Sequence, residues 1–242
     1  MGTAALEVRD LCIDYRPFKS TTIRRSFLKK KEKQEMIHAV KNLSFTMEKG
    51  EILGVVGKNG SGKSTLLRAI AGIFVPDKGS IDLHGNTVSL LSIGVGFNRE
   101  LTGRENIILS GMLLGFNEVE ISERMDEIID FSELGKFVDY PVRTYSSGMY
   151  SKLAFAISVM LETDITLIDE VLSVGDERFR KKSFNKMKDL ITDRDRTVII
   201  VSHSMETLTE LCTRMLWIDS GEFKMIGEVS EVAKEYKKFM AG

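Results

Sequence analysis

The chain has 242 residues, of which 43% are hydrophobic, and a formal net charge of -1, a composition that gives no sign of a nucleic-acid partner. No apolar run reaches the roughly 18 residues of a membrane-spanning helix, and the N-terminus lacks the regions of a signal peptide. The two cysteines, Cys12 and Cys212, are far apart in sequence and have no metal-ligand spacing. This pattern predicts that the protein lies in the reducing environment of the cytosol. If the protein works at a membrane, we expect it to act from the cytosolic face through a partner.

Two strands are predicted near the N-terminus, at 6–15 and 36–47, because both runs are rich in β-branched residues. Between them, the segment 16–35 carries eight basic residues against two acidic ones, with apolar side chains interleaved. Three interpretations of this basic insertion are open. It forms a short helix at the boundary of an anionic membrane, it is an arm that binds phosphate groups, or it is a solvated loop without a role.

The residues 57–64 fit the G-x-x-x-x-G-K-[ST] pattern of a phosphate-binding loop, with a predicted strand at 51–56 and a predicted helix at 64–71. Backbone N–H groups of such a loop surround a polyphosphate, and the helix dipole adds a positive end. Lys63 would reach the β- and γ-phosphates, and the Ser64 hydroxyl would bind Mg²⁺. A plain glycine-rich turn is the alternative. The context favours nucleoside triphosphate binding by Gly57, Lys58, Asn59, Gly60, Ser61, Gly62, Lys63, Ser64 and Thr65.

Helices are predicted to follow the phosphate-loop region. Thr102 with Glu105, and Asn117 with Glu120, are capping-box patterns that each open an apolar helix. A third helix is predicted at about 147–161.

A second chemical motif follows at the end of a predicted strand. The apolar run 165–168 leads directly into Asp169 and Glu170. The carboxyl ends of parallel strands converge on the ligand crevice, so Asp169 would hold Mg²⁺ and Glu170 would polarise a water for attack on the γ-phosphate. An ordinary acidic turn is the alternative.

The last part of the chain predicts a helix near 176–190, strands at 197–202 and 215–219, and a terminal helix at 229–240. Alternating strands and helices predict an α/β fold, a P-loop NTPase core with a mainly parallel sheet, an N-terminal antiparallel β region and an inserted α-helical subdomain. We expect one domain over 5–242, with core segments at about 5–98 and 160–242, a helical subdomain at about 99–159 and the basic insertion at 16–35.

A phosphate loop alone does not separate kinases, GTPases and ATPases. The guanine-specificity pattern Asn-Lys-x-Asp is absent, since the nearest string, 185–188, fails at its last position. That argues against a GTPase.

The string 145–149, Tyr-Ser-Ser-Gly-Met, stands before a predicted helix and shortly before the carboxylate strand. Here the chain resembles the ATP-binding-cassette ATPases, and the resemblance covers the order of motifs along essentially the whole chain. It implies a signature motif at Ser146, Ser147, Gly148 and Met149, and a D-loop at 174–176. It also implies a switch histidine, His203, that contacts the γ-phosphate. Tyr15 fits the aromatic residue that stacks on adenine, with edge packing as the alternative.

The resemblance also implies how the motifs cooperate. Two cassettes of a homodimer pair head to tail, and each ATP lies between one phosphate loop and the partner's signature. Ser147 and Gly148, at a helix N-terminus, would donate hydrogen bonds to the partner-bound γ-phosphate.

One departure from the family pattern narrows the resemblance. Most cassettes have a glutamine between the core and the helical subdomain, but the single glutamine here, Gln34, lies before the phosphate loop. The stretch 90–98 is similar to the form in bacterial exporters of lipid-linked polysaccharides and teichoic acids. The Tyr-Ser-Ser-Gly-Met signature, the string 172–176 and the basic insertion agree with that subfamily.

This resemblance implies an ATPase that uses ATP and Mg²⁺ to power export of a lipid-linked polymer. Its partners would be two copies of a polytopic membrane permease, without nucleic acid, and it would lie on the cytoplasmic face of the bacterial cell membrane. Because the chain ends at Gly242, we expect polymer recognition to fall to the permease. The alternatives are a cassette for another substrate, such as a lipid, peptide or imported solute, and a soluble non-transport cassette ATPase.

Overall fold

The computed structural model describes residues 3–15, 36–91, 96–169, 175–192, 196–202 and 204–241. The basic insertion at 16–35, the predicted catalytic residues Glu170 and His203, and much of the predicted D-loop lie outside the described residues.

A mixed sheet forms the centre of the described structure. Its nine strands are β1 Ala4–Tyr15, β2 Ile37–Glu48, β3 Ile52–Val56, β4 Lys78–Asp82, β5 Val88–Leu91, β6 Ile165–Asp169, β7 Thr197–Val201, β8 Arg214–Asp219 and β9 Glu222–Glu228. Their order across the sheet is β4-β1-β2-β9-β8-β3-β7-β6-β5. The run from β8 to β5 is parallel throughout, whereas β1 pairs antiparallel with β2 and with β4. The sheet thus has a parallel half, β8 to β5, and an antiparallel half, β4, β1 and β2. Strand β9 joins them, antiparallel to β8 and parallel to β2.

The central parallel strands β3, β7 and β6 are buried on both faces, which explains their nearly continuous apolar sequence. All five residues of β7 are buried, and so are four of the five in β6. By contrast, β1 and β2 alternate more between buried and exposed positions because they belong to the antiparallel half.

Seven α-helices accompany the sheet in the described ranges. They are α1 Lys63–Ile70, α2 Gly103–Leu113, α3 Glu118–Ser132, α4 Ser147–Met160, α5 Glu177–Thr192, α6 Met205–Leu211 and α7 Val229–Ala241. Two short 3₁₀ helices, Gly135–Asp139 and Val142–Thr144, lie between α3 and α4. The helices α2 to α4 therefore form a helical insertion between the neighbouring strands β5 and β6.

Local capping fixes where the inserted helices begin. The Thr102 side chain accepts from the N–H of Glu105, whose carboxylate accepts from the N–H of Thr102, and Asn117 with Glu120 repeats this arrangement. Fully buried Asn106 bonds to the backbone of Asn98 through both ends of its amide. The insertion is thereby anchored to the chain that leads into it.

Two apolar clusters hold these elements together. The first cluster contains residues of the antiparallel strands, of α1 and of the parallel strands on the side that faces α1. It includes Leu6, Leu53 and Leu66. The other joins the inserted helices to the opposite side of the parallel strands and includes Ile107, Leu153 and Phe179. Within the described ranges, no helix combines the length and apolarity that crossing a bilayer requires.

Candidate nucleotide-binding site

A cleft of about 640 Å³ opens at the carboxyl ends of the parallel strands, above the loop that joins β3 to α1. Its volume is in the range of small-molecule sites. The lining residues come from the end of β1, the start of β2, the phosphate loop and the ends of three other strands: Tyr15, Ile37, His38, Ala39, Asn59, Gly60, Ser61, Gly62, Lys63, Ser64, Thr65, Asp169, Val201 and Ser220.

Close packing dictates two of the glycines in the phosphate loop. A Cβ at Gly57 would overlap the carbonyl oxygen of Ile218, and one at Gly62 would overlap the carbonyl oxygen of Ala39. Gly62 also has a φ of 102°, in the left-handed region that favours glycine. It caps α1 without any side-chain hydrogen bond, so the first amides of α1 have no side-chain partner at the cap. Helix N-termini of this kind bind anions.

Lys63 is the first residue of α1, and its side chain reaches back to the start of the phosphate loop. Its Nζ donates to the carbonyl oxygens of Gly57 at 2.8 Å and Lys58 at 3.0 Å. The residue is only 7% exposed. Burial lowers the pKa of this ammonium, and Asp169 opposes that shift. An anion bound in the cleft would stabilise the buried charge.

Ser64 and Asp169 meet at the edge of the same cleft, although they are distant in sequence. The Ser64 Oγ donates to Asp169 Oδ1 at 3.1 Å. A hydroxyl and a carboxylate are hard oxygen ligands of the kind that Mg²⁺ prefers. This pair therefore fits the metal site that the sequence predicts.

Two other loop residues offer polar groups to the cleft. The Ser61 Oγ is buried and has no hydrogen-bond partner within the described structure. The Thr65 Oγ1 accepts from the Tyr15 hydroxyl at 3.2 Å. The Tyr15 ring meets Phe74 edge-on, with 5.8 Å between the ring centroids. Tyr15 thus lines the cleft and packs against its wall, so the structure leaves its adenine-stacking role a prediction.

The Lys58 side chain contacts the terminal helix and is not part of the described lining of the cleft. Its Nζ lies 4.3 Å from the centroid of the Phe239 ring on α7, which is the distance of a cation–π contact. Lys58 contributes its carbonyl oxygen to Lys63, while its charge faces the terminal helix. Asn59 and Gly60 are exposed at the lip of the cleft.

The four predicted signature residues form the start of α4 and do not belong to the described lining of the cleft. The Ser146 Oγ accepts from the N–H of Met149 at 3.2 Å and so caps the helix. As a hydroxyl, it can still donate its own proton. Ser146 and Ser147 are exposed, and a Cβ at Gly148 would meet only the Ser146 Oγ, at 3.9 Å.

One polar pair at the cleft, His38 with Asp14, is not predicted from the sequence pattern. The His38 Nδ1 lies 2.7 Å from Asp14 Oδ1, and His38 lines the cleft. The two residues come together only through the antiparallel pairing of β1 with β2. No local sequence signal marks such a cross-strand pair.

Comparison with known proteins places these features in a family. A family model described as ABC transporter matches residues 40–173. The chain is 45% identical to the O-antigen export system ATP-binding protein RfbB of Myxococcus xanthus, over 93% of this chain and 52% of that protein. It therefore spans about half the length of that relative. It is also 40% identical to the teichoic acids export ATP-binding protein TagH of Staphylococcus epidermidis, over 98% of this chain and 90% of that protein.

A solved structure agrees with the predicted fold class. It is a dimeric ATP-binding cassette in a post-hydrolysis state with ADP and Pi, and it is 20% identical to this chain with a TM-score of 0.70. The similarity covers 93% of this chain and 98% of the other. The predicted P-loop NTPase architecture is confirmed, and because the family model covers more than half of its residues, the chain belongs to the ABC transporter family.

Proposed function

We propose that the chain is an ATPase subunit that powers export of a lipid-linked polysaccharide or teichoic acid. The observation that carries the ATPase part is the convergence of a buried Lys63 and the Ser64–Asp169 pair in one cleft. A buried ammonium and a metal-binding pair are the groups that a polyphosphate with its cation requires. The names of the two curated relatives support the export part.

We propose the following roles for the individual residues, of which Glu170 and His203 rest on the sequence pattern alone. Lys63 and the first amides of α1 bind the β- and γ-phosphates. Ser64 and Asp169 hold Mg²⁺, which when bound neutralises charge on the phosphate oxygens. The side chain of Glu170 polarises the attacking water, and that of His203 contacts the γ-phosphate. Tyr15, which lines the cleft, stacks on the adenine ring.

The signature residues act on a second subunit of a homodimer. The exposed N-terminus of α4 offers backbone amides and the Ser146 hydroxyl to an anion from outside the chain. Gly148 has room for a side chain within its own subunit. The lack of a side chain at Gly148 would let a partner-bound phosphate approach closely, which supports the shared site. Ser147, Gly148 and Met149 complete this half of the shared site.

The membrane partner supplies the route for the polymer. We infer that two permease copies bind the ATPase dimer on the cytoplasmic face of the bacterial cell membrane. We retain the division into a core at about 5–98 and 160–242 and a helical subdomain at about 99–159. The basic insertion serves export at the membrane boundary, an inference that rests on its charge in the sequence.

One experiment tests the shared site and the activity together. Wild-type protein should hydrolyse ATP and form an ATP-dependent dimer in sedimentation velocity. Ser147→Arg places a bulky cation where the partner's phosphate must dock, so each monomer should bind ATP but fail to dimerise. Lys63→Ala, the control, should lose ATP binding itself. If the Ser147 variant dimerises with ATP as strongly as wild type, the shared-site proposal is wrong. If the wild-type protein hydrolyses no ATP, either alone or with its permease, the proposed ATPase activity is wrong.

A further inference from the structure

Two lysines from different helices meet at one carboxylate, Glu133, which follows the last residue of α3. The Lys152 Nζ from α4 lies 3.1 Å from Glu133 Oε2, and the Lys182 Nζ from α5 lies 3.4 Å from Glu133 Oε1. Lys182 also donates to the carbonyl oxygen of Phe131 at 3.0 Å. Glu133 thus ties two helices of the insertion to a helix of the core.

Lys152 makes a second ion pair that Lys182 does not share. Its Nζ lies 2.8 Å from Asp176 Oδ2, while Asp176 Oδ1 accepts from the N–H of Phe179 at 2.9 Å. The carbonyl oxygen of Asp176 accepts from the N–H of Arg180 at 2.9 Å. Asp176 is therefore the cap of α5, and the cap is held by an ammonium that belongs to α4.

The surroundings of Lys152 distinguish this contact from an ordinary surface ion pair. The Lys152 side chain is only 15% exposed, and its Nζ lies 4.9 Å from the centroid of the Phe179 ring. A Cβ at Gly175 would come within 3.1 Å of Lys152 Cε, so the backbone before Asp176 packs on the lysine stem.

The charges of this network favour its ionised form. Although burial lowers the pKa of Lys152, its hydrogen bonds to Asp176 and Glu133 raise it above the ordinary value overall. The hydrogen bond from Lys152, followed by that from the N–H of Phe179, lowers the pKa of Asp176 to about 2. At neutral pH the lysine and the aspartate are both charged.

The position of Lys152 links the two parts of the proposed site. It lies five residues after Ser147, so it is little more than one helical turn from the start of α4. Asp169 is held at the phosphate loop by Ser64, and Asp176, seven residues later in the sequence, is held by Lys152. In the sequence, Glu170 stands between these two anchored aspartates.

We propose that Lys152 is a positioning residue that fixes the start of α5 against the signature helix while the signature contacts a partner's nucleotide. This inference rests on the proposed function. Its consequence is that loss of the ammonium lowers turnover in the ATP-bound dimer and leaves ATP binding by the phosphate loop intact.

The chain offers a matched control. Lys152→Met keeps the apolar stem and removes the charge. Lys182→Met removes the other lysine at Glu133, whose Nζ also lies over an aromatic ring, that of Phe131 at 4.5 Å. Among the described residues Lys182 pairs with Glu133 and not with Asp176. Lys152→Arg retains a cation that can bind both carboxylates.

The test measures kcat at saturating ATP, the Kd for ATP, and hydrogen–deuterium exchange of the peptide that contains Phe179. Lys152→Met should lower kcat by about tenfold with an unchanged Kd, and should speed exchange of the Phe179 amide. Lys182→Met should stay within about twofold of wild type in kcat, and Lys152→Arg should recover most of the loss.

Equal kcat and equal Phe179 exchange in Lys152→Met and Lys182→Met would overturn the positioning role. If the wild-type protein hydrolyses no ATP, the proposed function fails, and the exchange of Phe179 still decides whether Lys152 holds the start of α5. A fall in kcat that Lys152→Arg does not rescue would also contradict the proposal.

Discussion

The ammonium of Lys63 is a buried positive charge in the cleft, and its hydrogen bonds are to neutral groups. Lys63 is almost fully buried, and its ammonium is bound only by carbonyl oxygens in the described structure, with Asp169 near enough to influence its pKa. Neutral carbonyl groups stabilise a buried cation less than an anion does. Lys63 is therefore placed for a strongly anionic ligand, as the proposed ATP site requires.

Glu170→Gln tests the residue assigned to polarise water. We expect the variant to bind ATP with wild-type affinity, because the phosphate contacts of Lys63 survive, and to lose turnover because the amide is not a base. ATP should then trap a stable dimer, visible by size-exclusion chromatography with light scattering. Hydrolysis at a near wild-type rate would show that the role assigned to Glu170 is wrong.

Cys212 provides a chemical probe of the core beneath the phosphate loop. A Cβ at Gly54, on β3, would lie 2.9 Å from the Cys212 Sγ, so this thiol packs directly on the strand that leads into the loop. Burial raises the pKa of Cys212 to about 12. Since the thiolate is the reactive form, it becomes populated only as the pH approaches that value.

In a Cys12→Ser background we expect Cys212 to remain unreactive towards a disulfide reagent at about pH 8 and to react fully once denaturant unfolds the chain. The lag in native protein should persist at about pH 10, which still lies below the raised pKa. Rapid labelling of the folded protein at the lower pH would contradict the raised pKa of this thiol.

At the scale of elements, short-range chemistry makes the helix starts predictable. The capping boxes of α2 and α3 stand where the sequence pattern predicts them, because each depends on residues only three positions apart. The phosphate loop is readable for the same reason. The strands β4 and β9 lack such signals, since most of their residues are exposed and pairing with β1 and β8 defines them.

The contacts of Lys152 and His38 mark a second limit of sequence reasoning. Each depends on two elements that the tertiary fold brings together, α4 with the start of α5 and β1 with β2. Periodicity and motif spacing describe one element at a time, so neither contact has a signature in the sequence.

Asn117→Ala tests the strength of the α3 cap. The Asn117 Oδ1 accepts from the N–H groups of Val119 and Glu120, and alanine leaves both without this acceptor. We expect the free energy of unfolding in urea to fall by about 1 kcal/mol. Asn117→Asp, which keeps the acceptor, should stay near wild type. An unchanged value for the alanine variant would show that the cap contributes no stability.

At the scale of the whole molecule, the phosphate loop lies where several parts of the fold meet. Gly62 packs on the carbonyl of Ala39 in β2, Gly57 packs on that of Ile218 in β8, and Lys58 contacts Phe239 in α7. The loop is therefore supported by the antiparallel half of the sheet, the parallel half and the terminal helix together. We therefore expect a structural change in any of these parts to alter nucleotide binding by the loop.

The most direct test of polymer export driven by ATP hydrolysis uses inverted membrane vesicles that contain this chain and its permease. The measured quantity is transfer of a radiolabelled lipid-linked polysaccharide, extracted from the source cells, into the vesicle lumen. We expect transfer with wild-type protein and ATP, and none with Glu170→Gln or with ADP. Equal transfer by the Glu170 variant, or wild-type hydrolysis of ATP without any transfer, would contradict the account.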